Sequence, residues 1–252
     1  SLLEALCKQN FEIKNLSNSD DTNSLKNALS DTKNTIDVGA AGTSFRFLTS
    51  YLATQKKKDF ILTGTDRMKD RPIKKLVEAL KMLGAKISYL EKANFPPLKI
   101  KGTQILGGEI TIDASISSQF ISSLLLIAPT LANGLILNIS GNLVSKSYIQ
   151  MTLKLMDEFG VNHSWDRNKI VVDQQNYIGK NYTVEADWSA ATFWFQIAAL
   201  TENCNIKLNG LYQKSMQGDA KVMTIFKDFG IASVLKDNIN NKVIEIIFKK
   251  LI

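Results

Sequence analysis

The sequence predicts an α/β protein in which one β-α-β-α-β-β unit is repeated along the chain. Stretches with an apolar residue every three to four positions alternate with shorter stretches in which every second residue is apolar, which are the patterns of helices and strands. Glycines recur in pairs at the same place in each unit, 20, 19 and 20 residues apart: Gly64 with Gly84, Gly141 with Gly160, and Gly210 with Gly230. This constant spacing indicates an internal repeat of about seventy residues.

The first copy of the unit shows a chemical signal at each end of its second helix. Pro72 suits a first helical turn, and Gly84 suits the left-handed residue that follows a helix. The predicted elements are a strand over residues 35–38, a helix over 42–52, a strand over 59–63, a helix over 73–83, and strands over 85–89 and 98–101.

The second and third copies repeat this order. In copy two we predict a strand over residues 109–112, a helix from Ser117, a strand over 135–139, a helix over 148–159 and two strands reaching Val172. In copy three we predict a strand over 182–185, a helix from Ser189, a strand over 205–208, a helix over 220–229 and two strands ending near Ile247.

The first helices of copies two and three are apolar nearly all round. Residues 120–131 and 193–200 are therefore expected to be buried on every side, and the three aromatic residues in the second of these ranges are assigned to the core rather than to a ligand site. The polar stretch 173–176 is the best candidate for a domain crossing. The predicted domains are residues 1–182 and 183–252.

Composition is that of an ordinary globular protein, with 44% apolar and 22% charged residues and a formal net charge of +7. The basic residues are scattered and no aromatic residues alternate with arginine, so no nucleic-acid partner is expected. Two distant cysteines and one histidine, Cys7, Cys204 and His163, offer no metal site and favour a reduced, cytoplasmic setting. The longest apolar run, residues 121–131, is too short to span a membrane.

One charged segment points to an anionic ligand. It lies between a strand end and the second predicted helix, and it reads Arg67, Met68, Lys69, Asp70, Arg71 and Pro72. Three cations around one carboxylate favour a doubly anionic small molecule. Taken alone, the segment is equally well explained as a solvated loop.

The starts of the predicted helices offer a second kind of anion site. Small or hydroxyl residues begin the first helix of each copy: Gly42, Thr43 and Ser44; Ser117, Ser118 and Gln119; Ser189 and Ala190. Such residues are good N-caps, and capping by itself is a sufficient reason for their presence. Exposed N–H groups and hydroxyls at a helix start also bind phosphate or carboxylate, which is the functional alternative. The second helices begin in a similar way, with Ser145 and Tyr148 in copy two and residues 215–219 in copy three.

Several motifs together resemble the enolpyruvylshikimate phosphate synthase (EPSP synthase) family over essentially the whole chain. They are Gly42-Thr43 with Arg46, and residues 67–73, 94–98, 117–120, 143–146 and 215–219. The resemblance implies the enolpyruvyl transferase fold, with two lobes of three β-α-β-α-β-β units around inward-facing helices. Residues 1–182 would form the substrate-binding lobe, and residues 183–252 the first unit of a second, incomplete lobe.

The resemblance also implies an activity and a set of site residues. Members transfer the enolpyruvyl group of phosphoenolpyruvate to the 5-hydroxyl of shikimate 3-phosphate, without a metal or organic cofactor, and the full-length protein would be a glyphosate-sensitive monomer in the cytoplasm. Matching motifs imply that shikimate 3-phosphate is held by Ser117, Ser118, Gln119, Ser145 and Tyr148. They imply that phosphoenolpyruvate is held by Gly42, Arg71 and Gln119, and Thr43 is also assigned to substrate binding. Arg46 and Asp20 are two further candidates.

The chain departs from the family pattern in several respects. Ala40, Ser147 and Trp188 stand where relatives commonly carry Asn, Pro and a small residue. We expect the chain to be truncated at both ends relative to the family, so that the Lys, Asp and Glu groups that move protons in relatives fall outside it. The 252-residue chain is therefore expected to bind substrates without turnover.

Two alternatives remain from the sequence. UDP-N-acetylglucosamine enolpyruvyl transferases share the implied fold, but they carry a reactive cysteine in a mobile loop that neither Cys7 nor Cys204 matches. The other alternative is a noncatalytic module that binds anions.

Overall fold

The computed structural model of the chain describes residues 1–113, 115, 117–141, 143, 145–212, 214–238 and 241–249, with side chains up to residue 234. Contacts within the chain divide it into two compact units, Ser1–Tyr182 and Thr183–Ile252. Each unit has its own hydrophobic core.

The first unit begins with two helices and a short strand, and the first repeat follows. The elements are α1 (Leu2–Leu6), β1 (Ile13–Lys14), α2 (Asp20–Ser30), β2 (Thr35–Asp37), α3 (Gly42–Ala53), β3 (Asp59–Thr63), α4 (Asp66–Lys69), α5 (Lys74–Met82), β4 (Lys86–Tyr89) and β5 (Leu98–Lys101). All six predicted elements of copy one are confirmed, each within one residue of its predicted ends. The charged segment, predicted as a turn, contains the additional short helix α4.

The second repeat has the same sequence of elements. They are β6 (Gly108–Asp113), α6 (Ser118–Ile127), β7 (Leu135–Ser140), α7 (Lys146–Glu158), β8 (Ser164–Asp166) and β9 (Lys169–Val172). Helix α6 ends earlier than predicted, and a 3-10 turn over Ala128–Thr130 follows it. The reason is Pro129, which has no N–H to continue the helical hydrogen bonds.

The two repeats form sheets of identical topology. The strand orders are β2-β3-β5-β4 and β6-β7-β9-β8. In each sheet the first two strands are parallel and the other pairs are antiparallel. This agreement in order and direction confirms the repeat that the glycine spacing predicted.

Helices α3 and α6 lie in the core of the first unit and pack against each other. Every residue of α6 from Phe120 to Ile127 is buried, as predicted. On α3, Phe45, Leu48 and Leu52 are buried in the same cluster. Since each large apolar side chain stabilises the fold by roughly 1.5–3 kcal/mol when fully buried, this pair of helices holds the two repeats together.

The second unit contains a smaller sheet. Its elements are α8 (Trp188–Leu200), β11 (Asn203–Asn209), a 3-10 turn (Gly218–Lys221), α9 (Val222–Lys227), β12 (Ile231–Asn238) and β13 (Asn241–Lys249); β10 (Tyr182–Thr183) precedes them at the boundary. The strand order is β11-β13-β12, all antiparallel, which matches the last three strands of each earlier sheet.

The strand predicted over residues 182–185 is present in a shorter form, β10, and it pairs with β1 rather than with the sheet of the second unit. The amide of Tyr182 donates a hydrogen bond of 2.9 Å to the carbonyl of Glu12. Its ring lies 5.6 Å from that of Phe159 and packs on the core of the first unit. A backbone hydrogen bond and an aromatic contact therefore both hold β10 against the first unit.

The prediction that residues 193–200 are buried on every side is wrong. Phe195 is fully buried, but Phe193 and Trp194 are 64% and 48% exposed, and Leu200 is 88% exposed. Helix α8 packs with one face on its sheet and on α9. Its other face has no covering element within the described part of the second unit.

No helix in the described part of the chain combines the length and the apolar character that crossing a bilayer requires.

Candidate functional site

The sheet topology places four helix starts at two sheet edges. In the first repeat α3 follows β2 and α4 follows β3, and these two strands are parallel. In the second repeat α6 and α7 follow the parallel pair β6 and β7 in the same way. Because parallel strands end at the same edge, each repeat brings its two helix starts together at the carboxyl end of its strands, where α/β proteins commonly bind ligands.

The start of α3 leaves backbone donors without a capping side chain. Its N-cap residue is Ala41, which makes no side-chain hydrogen bond to the helix. The loop before it is held tightly: Asp37 Oδ1 accepts from the amide of Gly39 at 2.8 Å, and the Val38 carbonyl accepts from the amide of Ala41 at 3.1 Å. The first N–H groups of α3, which begins at Gly42, are therefore free of side-chain caps and carry the positive end of the helix dipole.

Two guanidinium groups lie against Gly42. A Cβ added to this residue would overlap Nη1 of Arg71 and would lie 2.9 Å from Nη1 of Arg46. Glycine is therefore required for the arginines to approach the backbone this closely. Neither arginine forms an ion pair with a carboxylate within the described residues, so their positive charge at this helix start is not neutralised by a direct partner.

The charged segment does not act as one cluster. Lys69 places its Nζ 2.9 Å from Oε1 of Glu91, and this hydrogen bond raises the pKa of Lys69. The side chains of Arg67 and Asp70 are exposed. The three cations therefore have different environments, since successive residues of the α4 turn point about 100° apart: Lys69 is paired with Glu91, Arg67 is exposed, and Arg71 lies against Gly42.

Gln119 links the start of α6 to α3. Its Oε1 accepts a hydrogen bond of 2.6 Å from Nη1 of Arg46, and its Nε2 donates to Oγ1 of Thr43 at 3.2 Å. Further along the two helices, Ser123 Oγ donates to the Arg46 carbonyl at 2.9 Å and shares a short hydrogen bond with Ser50. The structure thus brings Gly42, Thr43, Arg46, Arg71 and Gln119 together, although Gln119 is 73 residues from Arg46 in the chain.

Arg46 is the most constrained member of this group. Burial lowers its pKa, and the charge of Arg71 lowers it further, yet a guanidinium remains charged at neutral pH. Its guanidinium lies 5.6 Å from the centroid of the Phe120 ring. Its Nε is buried and has no hydrogen-bond partner among the described residues.

The two serines at the start of α6 have different environments. Ser117 is the N-cap, and its Oγ accepts from the amide of Gln119 at 3.3 Å. Ser118 is half-buried and begins the helix. One hydroxyl is therefore already engaged in capping.

Helix α7 begins with an open cap. Its N-cap, Ser145, makes no side-chain hydrogen bond to the helix, and the Tyr148 ring is 53% exposed. Thr152 Oγ1 donates to the Tyr148 carbonyl at 3.0 Å and is 2.7 Å from the hydroxyl of Ser122 on α6. Helix α7 is therefore fixed to α6 one turn after Tyr148, and the Tyr148 side chain itself remains exposed.

Asp20 begins α2, and its side chain is exposed. The carbonyl of the next residue, Asp21, accepts a hydrogen bond of 2.7 Å from Ser44 Oγ on α3. The start of α2 therefore lies beside the start of α3, and the α2 carboxylate that influences the pKa of Arg46, by raising it, is that of Asp21 rather than Asp20.

In the second unit, the equivalent helix start is occupied by carboxylates. The N-cap of α8 is Asp187, not Ser189 as predicted, and its Oδ1 accepts from the Ser189 amide at 2.8 Å. Ser189 Oγ in turn donates to Asp219 at 2.5 Å. Negative groups already complement this helix dipole, so the proposed parallel between all three helix starts holds for the first two alone.

Sequence reasoning missed the role of Glu185. Its carboxylate accepts from four donors: Trp188 Nε1 at 2.8 Å, the Tyr212 amide at 2.7 Å, Ser215 Oγ at 2.6 Å and Gln217 Nε2 at 3.3 Å. This network explains how the departure Trp188 is accommodated, since its ring is fully buried with its N–H paired. An acidic residue next to a strand and shortly before an apolar helix was the available signal.

The remaining predicted positions lie outside the arginine group or contribute little to it. Ala40 is exposed in the loop before α3, and Ser147 is exposed in the first turn of α7. His163 Nδ1 lies 2.8 Å from Oδ1 of Asp157, near the end of α7. Both Cys7 and Cys204 are free thiols, and the described residues contain no group of three or more potential metal ligands of the His, Cys, Asp and Glu types.

Comparisons with known proteins all match the chain to one protein family. The family model described as EPSP synthase (3-phosphoshikimate 1-carboxyvinyltransferase) matches residues 1–249. A Bacteroides fragilis protein (strain YCH46) named 3-phosphoshikimate 1-carboxyvinyltransferase is 47% identical over 233 residues, which cover 92% of this chain and 57% of that protein. A protein of the same name from Psychromonas ingrahamii is 42% identical over 197 residues, or 77% of this chain and 45% of that protein.

A solved structure shows the same fold. The EPSP synthase from Acinetobacter baumannii superimposes with a TM-score of 0.78 at 22% sequence identity, covering 98% of this chain and 61% of that one. The enolpyruvyl transferase fold predicted from the sequence is thereby confirmed. The chain spans roughly half the length of the relatives it matches, from 45% of the Psychromonas ingrahamii protein to 61% of the Acinetobacter baumannii chain.

Proposed function

The chain belongs to the EPSP synthase (3-phosphoshikimate 1-carboxyvinyltransferase) family, and from this we propose that the protein containing it transfers the enolpyruvyl group of phosphoenolpyruvate to the 5-hydroxyl of shikimate 3-phosphate. The 5-oxygen adds to the central carbon of phosphoenolpyruvate while the methylene carbon takes up a proton. The tetrahedral intermediate then loses phosphate and a proton from the resulting methyl group. The relatives' names do not favour a UDP-N-acetylglucosamine enolpyruvyl transferase.

The observation that carries this proposal is the convergence of Arg71 and Arg46 on the uncapped start of α3 at Gly42. Two guanidinium groups, free helix N–H groups and the Gln119 amide are all hydrogen-bond donors, and the helix dipole adds positive potential. Such a set is suited to a ligand that carries both a carboxylate and a phosphate, as phosphoenolpyruvate does.

We assign the two substrates to neighbouring parts of this surface. Gly42, Arg71 and Gln119 are proposed to hold phosphoenolpyruvate, with Thr43 and Arg46 supporting Gln119. Shikimate 3-phosphate is proposed to lie across the starts of α6 and α7, on Ser117, Ser118, Gln119, Ser145 and Tyr148. The hydrogen bond between Ser122 and Thr152, which ties these two helices together near their starts, supports this assignment.

We also propose that the 252-residue chain binds both substrates without turning them over. The groups that contact Gly42 are cations and hydrogen-bond donors, and none of them is a base at neutral pH that could accept the proton of the 5-hydroxyl. The monomeric state and the cytoplasmic location expected from the sequence stay predictions.

Calorimetric titration of the chain with phosphoenolpyruvate tests the assignment of Arg71. Arg71→Gln should weaken binding about 10- to 100-fold, since a hydrogen bond to a charged group contributes roughly 1.5–3 kcal/mol. Arg67→Gln is the matched control, because it removes the same charge from an exposed side chain four residues earlier. Equal effects of the two substitutions, or no saturable binding by the unsubstituted chain, would contradict the proposal.

Two further measurements separate binding from catalysis. Ser118→Ala and Tyr148→Phe should weaken shikimate 3-phosphate more than phosphoenolpyruvate. Release of phosphate from a mixture of both substrates is expected from a longer protein that contains the chain and not from the 252 residues alone. Turnover by the 252 residues would refute the binding-only assignment and support the transferase activity.

A further inference from the structure

The side-chain amide of Gln119 is held at both ends. Oε1 accepts from Nη1 of Arg46 at 2.6 Å, and Nε2 donates to Oγ1 of Thr43 at 3.2 Å. The three side chains come from two helices, α3 and α6, whose contact is fixed by the hydrogen bond from Ser123 Oγ to the Arg46 carbonyl. The result is a directed chain of hydrogen bonds from Arg46 through Gln119 to Thr43.

Arg46 determines the direction of this chain. A guanidinium group has five N–H donors and no acceptor, whereas an amide that turns by 180° exchanges its donor and its acceptor. With Arg46 in place Oε1 has to face the guanidinium, so Nε2 has to face Thr43. The Thr43 oxygen then accepts, which leaves its own O–H hydrogen and the second amide hydrogen of Gln119 to be donated elsewhere.

We infer that Arg46 is a positioning residue, which acts through Gln119 and Thr43 to make both of them hydrogen-bond donors toward an anion at the start of α3. The inference deepens the proposed function and rests on it for the identity of the anion. If the Gln119 side-chain amide were turned by 180°, it would present its carbonyl oxygen to the carboxylate or phosphate of the anion. The two oxygens would then repel each other.

The surroundings of Arg46 support a functional role. Its Nε is buried and unpaired among the described residues, and its Nη1 lies beside Gly42, the same residue that Nη1 of Arg71 contacts. A buried donor without a partner and two neighbouring like charges both reduce stability. Natural proteins concentrate such violations at functional sites. The contact with the Phe120 ring, 5.6 Å from the guanidinium carbon, keeps the side chain in place despite this cost.

Two substitutions at position 46 test the inference. Arg46→Met keeps the aliphatic packing and removes every donor, whereas Arg46→Lys keeps a cation that can only donate. The first readout is the pair of Gln119 side-chain amide signals in NMR spectra of the ligand-free chain, with hydrogen exchange. The second is the affinity for phosphoenolpyruvate, and for inorganic phosphate as a simpler anion.

In the unsubstituted chain we expect the Gln119 side-chain amide protons to have chemical shifts that differ from those of a free glutamine. We also expect these protons to exchange slowly with solvent. Arg46→Met should shift the Gln119 amide signals to the chemical shifts of a free glutamine. It should also weaken phosphoenolpyruvate binding about tenfold, the equivalent of one hydrogen bond. Arg46→Lys should restore most of both properties. Unchanged amide signals in Arg46→Met, or changed signals with unchanged affinity, would overturn the inference.

Failure of the inference is distinguishable from failure of the proposed function. A chain that binds neither phosphoenolpyruvate nor phosphate contradicts the proposed function, while the amide signals of the ligand-free protein still report whether Arg46 orients Gln119. If Arg46→Met prevents folding, Thr43→Val tests the other end of the chain of hydrogen bonds. It should accelerate exchange at Nε2 and weaken anion binding, and no change in either would reject the inference.

Discussion

Nη1 of Arg71 occupies the space into which a Cβ on Gly42 would project. The contact joins the first residue of α3 to the residue that follows α4 by two positions. Because the arginine end is flexible while the helix backbone is not, a larger residue at position 42 has to displace the guanidinium.

Gly42→Ala should therefore separate ligand affinity from stability. We expect phosphoenolpyruvate binding to weaken about tenfold through the displaced Arg71, while the melting temperature changes little because alanine suits a helix at least as well as glycine. Calorimetric titration and thermal unfolding give the two quantities. In the double variant with Arg71→Gln the alanine should add almost nothing, and independent, additive losses would argue against the proposed route.

Helix α8 offers a matched pair of substitutions on opposite faces. Phe195→Ala empties a fully buried site and should cost roughly 3–5 kcal/mol of unfolding free energy. Phe193→Ala, two residues earlier at a position that is 64% exposed, should change it by less than about 0.5 kcal/mol. Urea unfolding monitored by tryptophan fluorescence measures both, and similar losses would show that the helix is oriented differently.

The carboxylate of Glu185 should stabilise the folded second unit. Glu185→Gln replaces one oxygen by an NH2 group that cannot accept, so some of the donors from Trp188, Tyr212, Ser215 and Gln217 lose their partner. We expect a loss of about 2 kcal/mol and a red shift of Trp188 fluorescence. Glu202→Gln, at an exposed position, is the control; the network has no stabilising role if the two variants unfold alike.

Tyr177 should make stability fall at alkaline pH. Its hydroxyl donates to the Leu126 carbonyl at 2.8 Å, and burial raises its pKa far above the ordinary value of about 10. The folded state therefore keeps the proton while the unfolded state loses it above about pH 10, so unfolding becomes more favourable by up to about 1.4 kcal/mol per pH unit for this group. Below that pH the contribution is constant.

Urea unfolding between pH 9 and pH 11 checks this expectation. Tyr177→Phe should reduce the alkaline loss of stability, whereas Tyr148→Phe, at a position that is 53% exposed, should not. The same pH dependence in Tyr177→Phe and in the unsubstituted chain would assign the loss to other groups.

Much of the fold was predictable because its signals are local. The glycine after each helix, the alternation of apolar positions and the wholly apolar α6 are encoded within a few residues of one another, and the structure confirms the elements they predicted. The third copy was predicted less well. The Tyr182 ring packs on the core of the first unit and its strand pairs with β1, a long-range contact that the periodicity of the sequence cannot reveal.

The site divides in the same way. The sequence predicted the helix starts at Gly42 and Ser117 and identified Arg71 as a candidate ligand contact, since hydroxyl, glycine and arginine patterns have direct chemical meaning. Tertiary structure alone decided that Arg71 and not Lys69 reaches Gly42, and that Arg46 donates a hydrogen bond to a glutamine 73 residues away. Side-chain direction and long-range partners depend on how α3 packs on α6, and that packing minimises the free energy of the whole core rather than of any local segment.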